Sequence, residues 1–581
     1  MSFNKFPFIE IDSDPKDVSV GWTAVTKRIN NLLSTSKSNS ILVMECYQGI
    51  YNDKLLEWVK SELSIDNLIN TSDLMKSEEE IRKLTQQDVT DDRIFGFLTR
   101  LEVIDFFDHS KLKKFKKENA FFKGKTIILG YGASLLVDNP DIIVYADMAR
   151  WEIQQRMRRN EVNNLGINNK TEGFEVKYKR GFFVDWRALD RLKRKLIHKW
   201  DFVLDTNDHS NPKLVDGDLI SDALKQAVER PFSLMPFFDP GPWGGQWMKE
   251  VCDLDKDVDN FAWCFNCVPE ENSLLFKFND TKVEIPSINL VFYQPVKLLG
   301  DAVHARFGDE FPIRFDFLDT MDGGNLSLQV HPLTEYIQEK FGIHYTQDES
   351  YYMMDAKPGA KVYLGLKEGV NPKQMMEELD AAQQENIYFD ADKHVQTWKV
   401  KKHDHVLIPG GTVHCSGIDS MVLEISSTPY IFTFKLWDWG RVGLDGKPRP
   451  INLKHGENVI QWDRTTEWTK ENLVNRIEKI NEGDGWYEEK TGLHEREFIE
   501  TRRFWFSKIT DHKTNGGVHV LNLVEGDEAI VESPDDTFKP FIIHYAETFI
   551  VPANVGKYTI SPYGKSEGKL IGIIKAYVRI N

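Results

Sequence analysis

The sequence predicts a multidomain protein in which an α/β half precedes an all-β half. Its 581 residues exceed what one ordinary hydrophobic core holds, so we expect two or three domains. Apolar strand segments alternate with helical patterns between residues 38 and about 207, which is typical of a parallel sheet. From about residue 230 onward, short strands are separated by Gly, Pro and Asp, as in an antiparallel jelly roll.

Composition argues against several classes of protein. A net charge of −17 and a pI near 5.5 do not fit a nucleic-acid-binding surface. The N-terminus lacks a basic start followed by an apolar core, so we expect no signal peptide. No apolar run approaches the roughly 18 residues of a membrane span, so we expect no membrane partner. We therefore predict a cytoplasmic protein and leave open whether it forms a homo-oligomer.

Five cysteines are scattered along the chain without a paired framework, which fits a reducing compartment. Cys264 and Cys267 form one CxxC inside the apolar run FAWCFNCV. Because no second CxxC accompanies it, we expect buried thiols here rather than a redox or zinc site.

The α/β half begins with the strand SILVMEC, and KTIILGYGA and DIIVYAD follow, with helices between them. This order resembles a nucleoside-kinase P-loop domain, in which the first strand runs into a phosphate-binding loop and a basic helix follows a later strand. A P-loop needs two glycines framing four residues and then Lys-Ser/Thr, so that backbone N–H groups surround the phosphates. Only Gly49 and Lys54 remain of that pattern. The resemblance therefore implies a degenerate P-loop kinase-like domain over residues 1–215 that does not transfer phosphate from ATP.

The helix after DIIVYAD carries four arginines, Arg150, Arg156, Arg158 and Arg159. They could cover a bound phosphate or form a solvated helix face, and we favour the solvated face. A polar, turn-rich stretch from about 206 to 217 predicts a linker to the second half.

One short strand in the second half, NLSLQVHP, offers two metal ligands. Gln329 and His331 are two residues apart, so in an extended strand both side chains point to the same face. Leu328 and Val330 then fill the opposite face. The strand therefore supplies half of a metal site.

Two later stretches could complete that site. Glu349 opens an aromatic run, and His414 closes IPGGTVH, in which Pro409 and Gly411 shape a tight turn. Mixed nitrogen and oxygen ligands around an open position suit a catalytic zinc ion. A single histidine on a strand is more often a satisfied polar group, so this interpretation depends on all four residues together.

The segment PGGTVH matches the second half of the cupin signature, and QVH followed by Glu349 resembles the first half. Together with GPWGGQWMKE, DAKPGA and FKLWDWGRVGLDGKPRPINL, they are similar to the class I mannose-6-phosphate isomerases, the zinc cupins, over about residues 230–581. The resemblance implies a Zn²⁺ cofactor bound by four residues, Gln329, His331, Glu349 and His414.

The resemblance also divides this half into two cupins. It implies a metal-binding cupin isomerase domain at 230–497 with a helical insertion, NPKQMMEELDAAQQENI, which opens with an Asn cap and Pro in the first turn. We expect a second, metal-free cupin domain at 498–581, where the strand and turn rhythm returns but His519 and His544 are isolated.

Members of this family interconvert mannose 6-phosphate and fructose 6-phosphate, a step of carbohydrate metabolism, by moving a proton between C1 and C2 through an enediol. Such a reaction needs a base, positive charge for the developing enediolate and a cationic hold on the phosphate. The resemblance assigns the catalytic charge to Arg441 and substrate binding to Lys447, with a sugar phosphate as the partner. From the residues alone, Arg441 could also be a surface charge in a turn.

Two departures from the family pattern stand at Gln347 and Asp316, where the family commonly has lysines. Three functions therefore stay open: a mannose-6-phosphate isomerase that uses other residues, an isomerase of a different sugar, or a non-catalytic sugar-sensing or scaffold protein. His403 and His405 are expected to be turn and strand residues, and the pattern does not identify the general base.

Overall fold

The computed structural model describes residues 3–14, 17–118, 122–385, 387–442, 449, 451–493 and 497–580. Lys447, the predicted substrate-binding lysine, lies outside these residues. The chain forms two compact units. The α/β unit consists of Phe8–Ala227 and Pro269–Gln294. The β unit consists of Met1–Pro7, Val228–Val268 and Pro295–Asn581.

Strands of the described residues run in chain order as β1 Ile9–Ile11, β2 Val18–Val20, β3 Ser40–Cys46, β4 Asn67–Asn70, β5 Lys125–Gly130, β6 Ile142–Asp147, β7 Phe202–Asp205, β8 Lys213–Asp216, β9 Phe237–Asp239, β10 Trp263–Cys267, β11 Ser273–Phe278, β12 Thr281–Pro286, β13 Ile313–Asp319, β14 Leu328–Val330, β15 Glu349–Ala356, β16 Lys361–Leu366, β17 Val395–Lys399, β18 His405–Ile408, β19 His414–Ser416, β20 Ser420–Ser427, β21 Phe434–Trp437, β22 Glu478–Gly483, β23 Trp486–Lys490, β24 Ile499–Phe506, β25 Thr510–Lys513, β26 His519–Glu525, β27 Glu528–Glu532, β28 Phe541–His544, β29 Thr548–Val551, β30 Lys557–Pro562 and β31 Ile571–Val578. The α-helices are α1 Gly21–Thr35, α2 Asn52–Glu62, α3 Glu78–Val89, α4 His109–Glu118, α5 Arg150–Arg158, α6 Phe174–Arg180, α7 Trp186–Leu196, α8 Gly217–Ala227, α9 Trp247–Val251, α10 Ile288–Tyr293, α11 Pro295–Leu299, α12 Asp301–Phe307, α13 Thr334–Phe341, α14 Pro372–Glu385, α15 Ala391–His394, α16 Leu453–Gly456 and α17 Thr466–Asn472.

The α/β unit is built on a seven-stranded sheet with the order β2-β8-β7-β6-β3-β5-β4. Strands β7, β6, β3, β5 and β4 are parallel, which confirms the predicted parallel sheet. The side chains of β3, β5, β6 and β7 are almost all buried, as expected when helices cover both faces, whereas those of the edge strand β4 are partly or fully exposed. The direction in which the chain adds strands reverses at β3, and such reversal points are where open α/β sheets bind ligands.

The predicted linker at 206–217 is wrong in part. Strand β8 lies within it and pairs antiparallel with β7 and β2. Leu214 and Val215 are fully buried in this sheet. Two apolar residues between polar turns were enough to form a short strand, because a neighbouring strand edge was available to pair with it.

The solvated-face interpretation of helix α5 is also wrong for two of its arginines. Arg150 and Arg156 are only 2% and 1% exposed. Arg150 pairs with the buried carboxylate of Asp190. Arg156 donates hydrogen bonds to the backbone carbonyls of Gly49 and Thr206 at 2.9 and 2.7 Å. Buried carbonyls need donors, and this helix supplies them in place of a phosphate lid.

A segment from the middle of the chain, Pro269–Gln294, completes the α/β unit. Its strands β11 and β12 form a three-stranded sheet with β1, in which β1 and β11 are parallel. Its helix α10 places Asn289 against a buried ion pair, where the amide donates to Asp147 at 2.8 Å and accepts from Lys193 at 3.1 Å. The ion pair itself has a 2.9 Å separation.

The described residues of the β unit form four antiparallel sheets. The first two have the strand orders β18-β15-β20-β13-β10-β9 and β17-β16-β19-β14-β21. The other two have the orders β22-β23-β24-β31-β26-β29 and β25-β30-β27-β28, and aromatic and branched side chains such as Phe504, Phe549 and Ile573 form their core. The chain is therefore a mixed helix and sheet protein with several sheets.

The predicted helical insertion is confirmed as α14, which lies between the strands that begin with Glu349 and His414. Asn371 caps it, since its side chain accepts from the backbone N–H of Gln374 at 3.1 Å, and Pro372 occupies the first turn. The five cysteines are buried and free, as predicted for Cys264 and Cys267. Within the described residues, no helix is both long and apolar enough to cross a membrane.

Candidate metal centre

Strands from two sheets bring the predicted ligands together. Gln329 on β14 lies directly opposite His414 at the start of β19, so the two side chains share one face. His331 follows β14 immediately, and Glu349 opens β15 in the other sheet. All four residues are buried.

The ligand atoms converge on one point. Glu349 Oε1 lies 2.7 Å from His414 Nε2, and Glu349 Oε2 lies 3.0 Å from His331 Nε2. One donor atom from each of these three residues falls within 4.8 Å of the others. The amide nitrogen of Gln329 is 3.3 Å from His414 Nε2, so this side chain reaches the same point.

A backbone carbonyl orients each of the two imidazoles through its Nδ1 atom. His331 Nδ1 lies 3.3 Å from the carbonyl oxygen of Phe432, and His414 Nδ1 lies 2.8 Å from that of Thr412. A carbonyl only accepts, so each Nδ1–H donates to its carbonyl oxygen and each Nε2 faces the carboxylate of Glu349.

The residues fit a divalent metal ion. His331 Nε2 and Glu349 Oε1 are buried without a hydrogen-bond partner, which would be costly unless another group completes them. Burial alone would raise the pKa of Glu349, but the neighbouring imidazoles of His331 and His414 hold it well below its ordinary value. An ionised carboxylate with two nitrogen donors is a ligand set typical of zinc.

Glycines build the turn that places His414. Gly411 has a φ of +87°, and its N–H donates to the carbonyl of His331 at 2.8 Å. A side chain on Gly410 would come within 2.6 Å of the carbonyl oxygen of Pro332. The turn is therefore tied to the strand of the first histidine, and its backbone conformation and close approach require glycine.

Gln347, which stands where the family commonly has lysine, supports a ligand. Its amide donates to Glu349 Oε2 at 2.9 Å and lies 3.4 Å from Glu424 Oε1. Burial, and then the charge of Glu349, raises the pKa of Glu424 well above its ordinary value. Gln347 therefore lies between the buried carboxyl groups of Glu349 and Glu424.

Asp316, the second departure, lies directly opposite Glu424 in the sheet. Arg314 contacts Asp316 and lies 3.4 Å from Glu424. Burial raises the pKa of Asp316 to about 7, although Arg314 opposes that shift. Arg314 and Glu424 were not identified from the sequence. Two signals were available in the sequence. Arg314 lies two residues before Asp316, and Glu424 is a carboxyl group within the apolar strand MVLEI.

Arg441 is half-buried and fixed in place. Its guanidinium donates to Asp438 Oδ1 at 2.8 Å and to the backbone carbonyl of Asn325. Arg449 Nη1 lies 2.8 Å from the other oxygen of Asp438, and Ser327 donates to Asp438 at 2.7 Å. The structure thus places Arg441 beside the segment that leads into Gln329, in a network rather than on a free surface.

Lys435 on β21 was also not identified from the sequence. It lies directly opposite Gln329, on the side away from His414. Burial lowers its pKa to about 8, and the charge of Arg449 adds to this effect. A charged residue in the otherwise apolar FKLW strand was the available signal.

Four other histidines lie apart from this centre. His403 occupies a turn with a φ of +71°, and His405 is a buried strand residue, as predicted. His519 lies 2.8 Å from the hydroxyl of Tyr558, and His544 pairs with Glu547 at 3.0 Å.

Comparison with known proteins agrees with a sugar isomerase. The chain is 24% identical over 273 residues to "Mannose-6-phosphate isomerase ManA" of Bacillus subtilis (strain 168), covering 47% of this chain and 75% of that protein. It is 24% identical over 220 residues to "Mannose-6-phosphate isomerase" of Streptococcus mutans, covering 38% of this chain and 64% of that protein.

Solved structures of such enzymes align with 60% of the chain. A mannose 6-phosphate isomerase from Bacillus subtilis aligns with a TM-score of 0.48 at 18% identity, over 99% of its own length. A zinc-bound mannose 6-phosphate isomerase aligns with a TM-score of 0.47 at 12% identity, also over 99% of its length.

Residues 21–229 match a domain of unknown function, DUF8485. The kinase-like interpretation of this region is not confirmed and stays a prediction. Over about half of its length and at low identity, the chain is similar to mannose-6-phosphate isomerases, and this similarity supports a sugar isomerase.

Proposed function

We propose that this protein is a zinc-dependent aldose–ketose isomerase that interconverts mannose 6-phosphate and fructose 6-phosphate through an enediol. The observation that carries the proposal is the buried group of His331, Glu349 and His414, whose ligand atoms lie within 4.8 Å of one another. With Gln329, these residues would hold Zn²⁺. A bound zinc ion supplies Lewis-acid charge at the sugar oxygens.

The reaction moves a proton between C1 and C2, and negative charge develops on the sugar oxygens as the proton leaves. Arg441 supplies a fixed positive charge that stabilises this negative charge, because Asp438 and the carbonyl of Asn325 hold its guanidinium in one orientation. Gln347 keeps the carboxylate of Glu349 in place through a hydrogen bond of 2.9 Å. Arg314 provides a cation next to position 316, where the family pattern has lysine.

Gln347 and Asp316 also favour the second candidate, a non-catalytic sugar-sensing or scaffold protein. Losing two lysines near the site lowers the positive charge available for proton transfer. An isomerase of a different sugar is the third reading, since the same ligand group would accept other aldoses. The cytoplasmic location and the sugar-phosphate partner are part of this proposal, and assembly into a homo-oligomer stays open.

A coupled assay on the zinc-loaded protein separates these functions. We expect turnover of mannose 6-phosphate, with less or none for a panel of other aldoses and aldose phosphates. Turnover of another aldose alone would identify a different isomerase. Calorimetric binding of a sugar phosphate without any turnover would identify the sensor and contradict the enzyme.

The metal assignment has its own test. His331→Ala should empty the site and abolish turnover, because it removes one of two nitrogen donors. His344→Ala, at an exposed histidine nearby, is the matched control and should retain both zinc and activity. Undiminished zinc in His331→Ala by elemental analysis would show that the assignment is wrong.

A further inference from the structure

Three side chains stand in a row across neighbouring strands of one sheet. His414 on β19 and Lys435 on β21 both lie opposite Gln329 on β14, one on each side. Directly opposed residues of antiparallel strands project to the same face, with Cβ atoms about 4.5–5.5 Å apart. Lys435 therefore lies beside the ligand group, on its face of the sheet.

Lys435 is one of three cations gathered around a single carboxylate. Arg441 and Arg449 each lie 2.8 Å from one oxygen of Asp438. Lys435 interacts electrostatically with Asp438 and with both arginines. We call Lys435, Asp438, Arg441 and Arg449 the basic cluster, and its three cations exceed its one carboxylate by two charges.

The excess charge is not balanced within the part of the chain that the structure describes. The two oxygens of Asp438 are occupied by the arginines and by Ser327. Lys435 is only partly exposed, and it makes no ion pair with a described carboxylate. A shielded cation without a partner is unfavourable, so the arrangement favours an anionic ligand.

The chemistry of that ligand follows from the charges and shapes. A phosphate monoester carries about −1.5 to −2 at pH 7, which matches the excess of the cluster. Guanidinium groups bind phosphate oxygens through two parallel donors, and an ammonium group adds a compact charge. Arg449 is pre-oriented by Asp438, so little side-chain entropy is lost when it binds.

We propose that Lys435 and Arg449 bind the phosphate group of the sugar phosphate beside the metal centre. Arg441 remains the cation for the enediolate, and Asp438 is the positioning residue that orients both arginines. This proposal rests on the proposed function, because it names the residues that hold that substrate, and it assigns the phosphate to residues other than Lys447.

The test separates the phosphate from the sugar. In Lys435→Met we expect the KM for mannose 6-phosphate to rise about tenfold to a hundredfold, the range for one charged hydrogen bond, and to rise by more than kcat falls. Binding of free mannose, measured by calorimetry, should not change, and zinc content should stay the same. Lys435→Arg should recover part of the affinity. Lys399→Met, at an exposed lysine of the same sheet, should behave as wild type.

The possible results of this experiment distinguish the phosphate assignment from the proposed isomerase function. An unchanged KM in both Lys435→Met and an Arg449→Met variant, with wild-type turnover intact, overturns the phosphate assignment and leaves the isomerase standing. Equal losses for mannose and mannose 6-phosphate show a structural role and also overturn it. If the wild type binds mannose 6-phosphate without turning it over and Lys435→Met loses that binding, the assignment stands and the isomerase fails.

Discussion

The guanidinium group of Arg441 is held by two acceptors, the carboxylate of Asp438 and the carbonyl of Asn325. If its charge stabilises the enediolate, it matters more in the transition state than in the bound substrate. We expect Arg441→Ala to lower kcat by about 10² or more, with a smaller change in KM. Steady-state isomerase kinetics on zinc-loaded protein measure this effect.

Arg441→Lys is the matched variant. It should restore only part of kcat, because an ammonium group cannot contact Asp438 and the Asn325 carbonyl in the same planar geometry. A kcat for Arg441→Ala within a factor of about two of wild type, with zinc retained, would show that Arg441 has no catalytic role.

At the level of single residues, the sequence predicted the four metal ligands but not the residues that surround them. Gln329, His331, Glu349 and His414 stand out because each lies in a short local motif, and the structure brings them together. Arg314, Glu424 and Lys435 do not stand out, because they approach the site through strand pairings that connect distant segments. A residue pattern shows which side chains share a face of one strand, but not which strand lies alongside.

Among the elements, the turn before β19 determines where His414 lies. Gly411 has a φ of +87°, which alanine rarely adopts. The Cβ of Gly411→Ala would also lie only 2.9 Å from the carbonyl oxygen of Val459. We expect a lower melting temperature and weaker zinc binding, since the turn is bonded to His331. Thermal unfolding with and without added zinc, together with zinc titration, measures both effects.

Gly369→Ala is the control for the turn prediction. Its φ is +73°, but a side chain there would meet nothing within 4 Å. We expect it to cost only the backbone strain of about 1–2 kcal/mol and to leave zinc affinity unchanged. Equal effects of the two substitutions would refute a role for the turn in the metal centre.

Strands β25 and β26 carry two histidines that predict a pH dependence. Burial, and then the charge of Lys575, holds the pKa values of His512 and His519 well below the ordinary 6.5. Below pH 6.5 the unfolded chain binds protons that the folded chain does not, so the free energy of unfolding falls as the pH falls. The slope is up to about 1.4 kcal/mol per pH unit for each histidine.

Denaturant unfolding between pH 7.5 and 5 tests this dependence. The double variant His512→Gln/His519→Gln should show a shallower loss of stability than wild type, because neither site binds a proton in the unfolded chain. The charged neighbours Lys575 and Arg502 stay in place in both proteins. Parallel pH profiles of variant and wild type would contradict the prediction.

Sequence patterns predicted some elements because their signals were local. Helix α14 follows from its Asn cap and the proline in its first turn, and β3, β5 and β6 follow from apolar runs. The exposure of the arginines on helix α5 was predicted wrongly, because the periodicity of a helical sequence does not show which other segments cover the helix. The loops after β3 and β7 present carbonyl oxygens to Arg156, and such acceptors are not visible in a helical pattern.

For the whole molecule, the segment Pro269–Gln294 predicts a long-range effect on stability. Asn289→Ala removes hydrogen bonds of 2.8 and 3.1 Å from the buried pair Asp147 and Lys193. We expect a loss of about 1–3 kcal/mol in the free energy of unfolding of the α/β unit. Hydrogen exchange of the β6 amides, together with thermal unfolding, measures it.

Asn31→Ala is the control for this prediction, since Asn31 lies on an exposed face of α1. It should leave both measurements close to wild type. Unchanged exchange of the β6 amides in Asn289→Ala would show that Asn289 does not stabilise the buried pair of Asp147 and Lys193.

The chain passes between its two units four times, after residues 7, 227, 268 and 294. The α/β unit is built from two separate segments of the chain, so one gene fusion at a single junction could not have added or removed it. Removing the first 227 residues would leave β11 and β12 without their neighbour β1, and would uncover side chains such as Phe276 and Ile285. Loss of the α/β unit would therefore also have to remove residues 269–294, and we expect relatives without this unit to carry a shorter connection in their place.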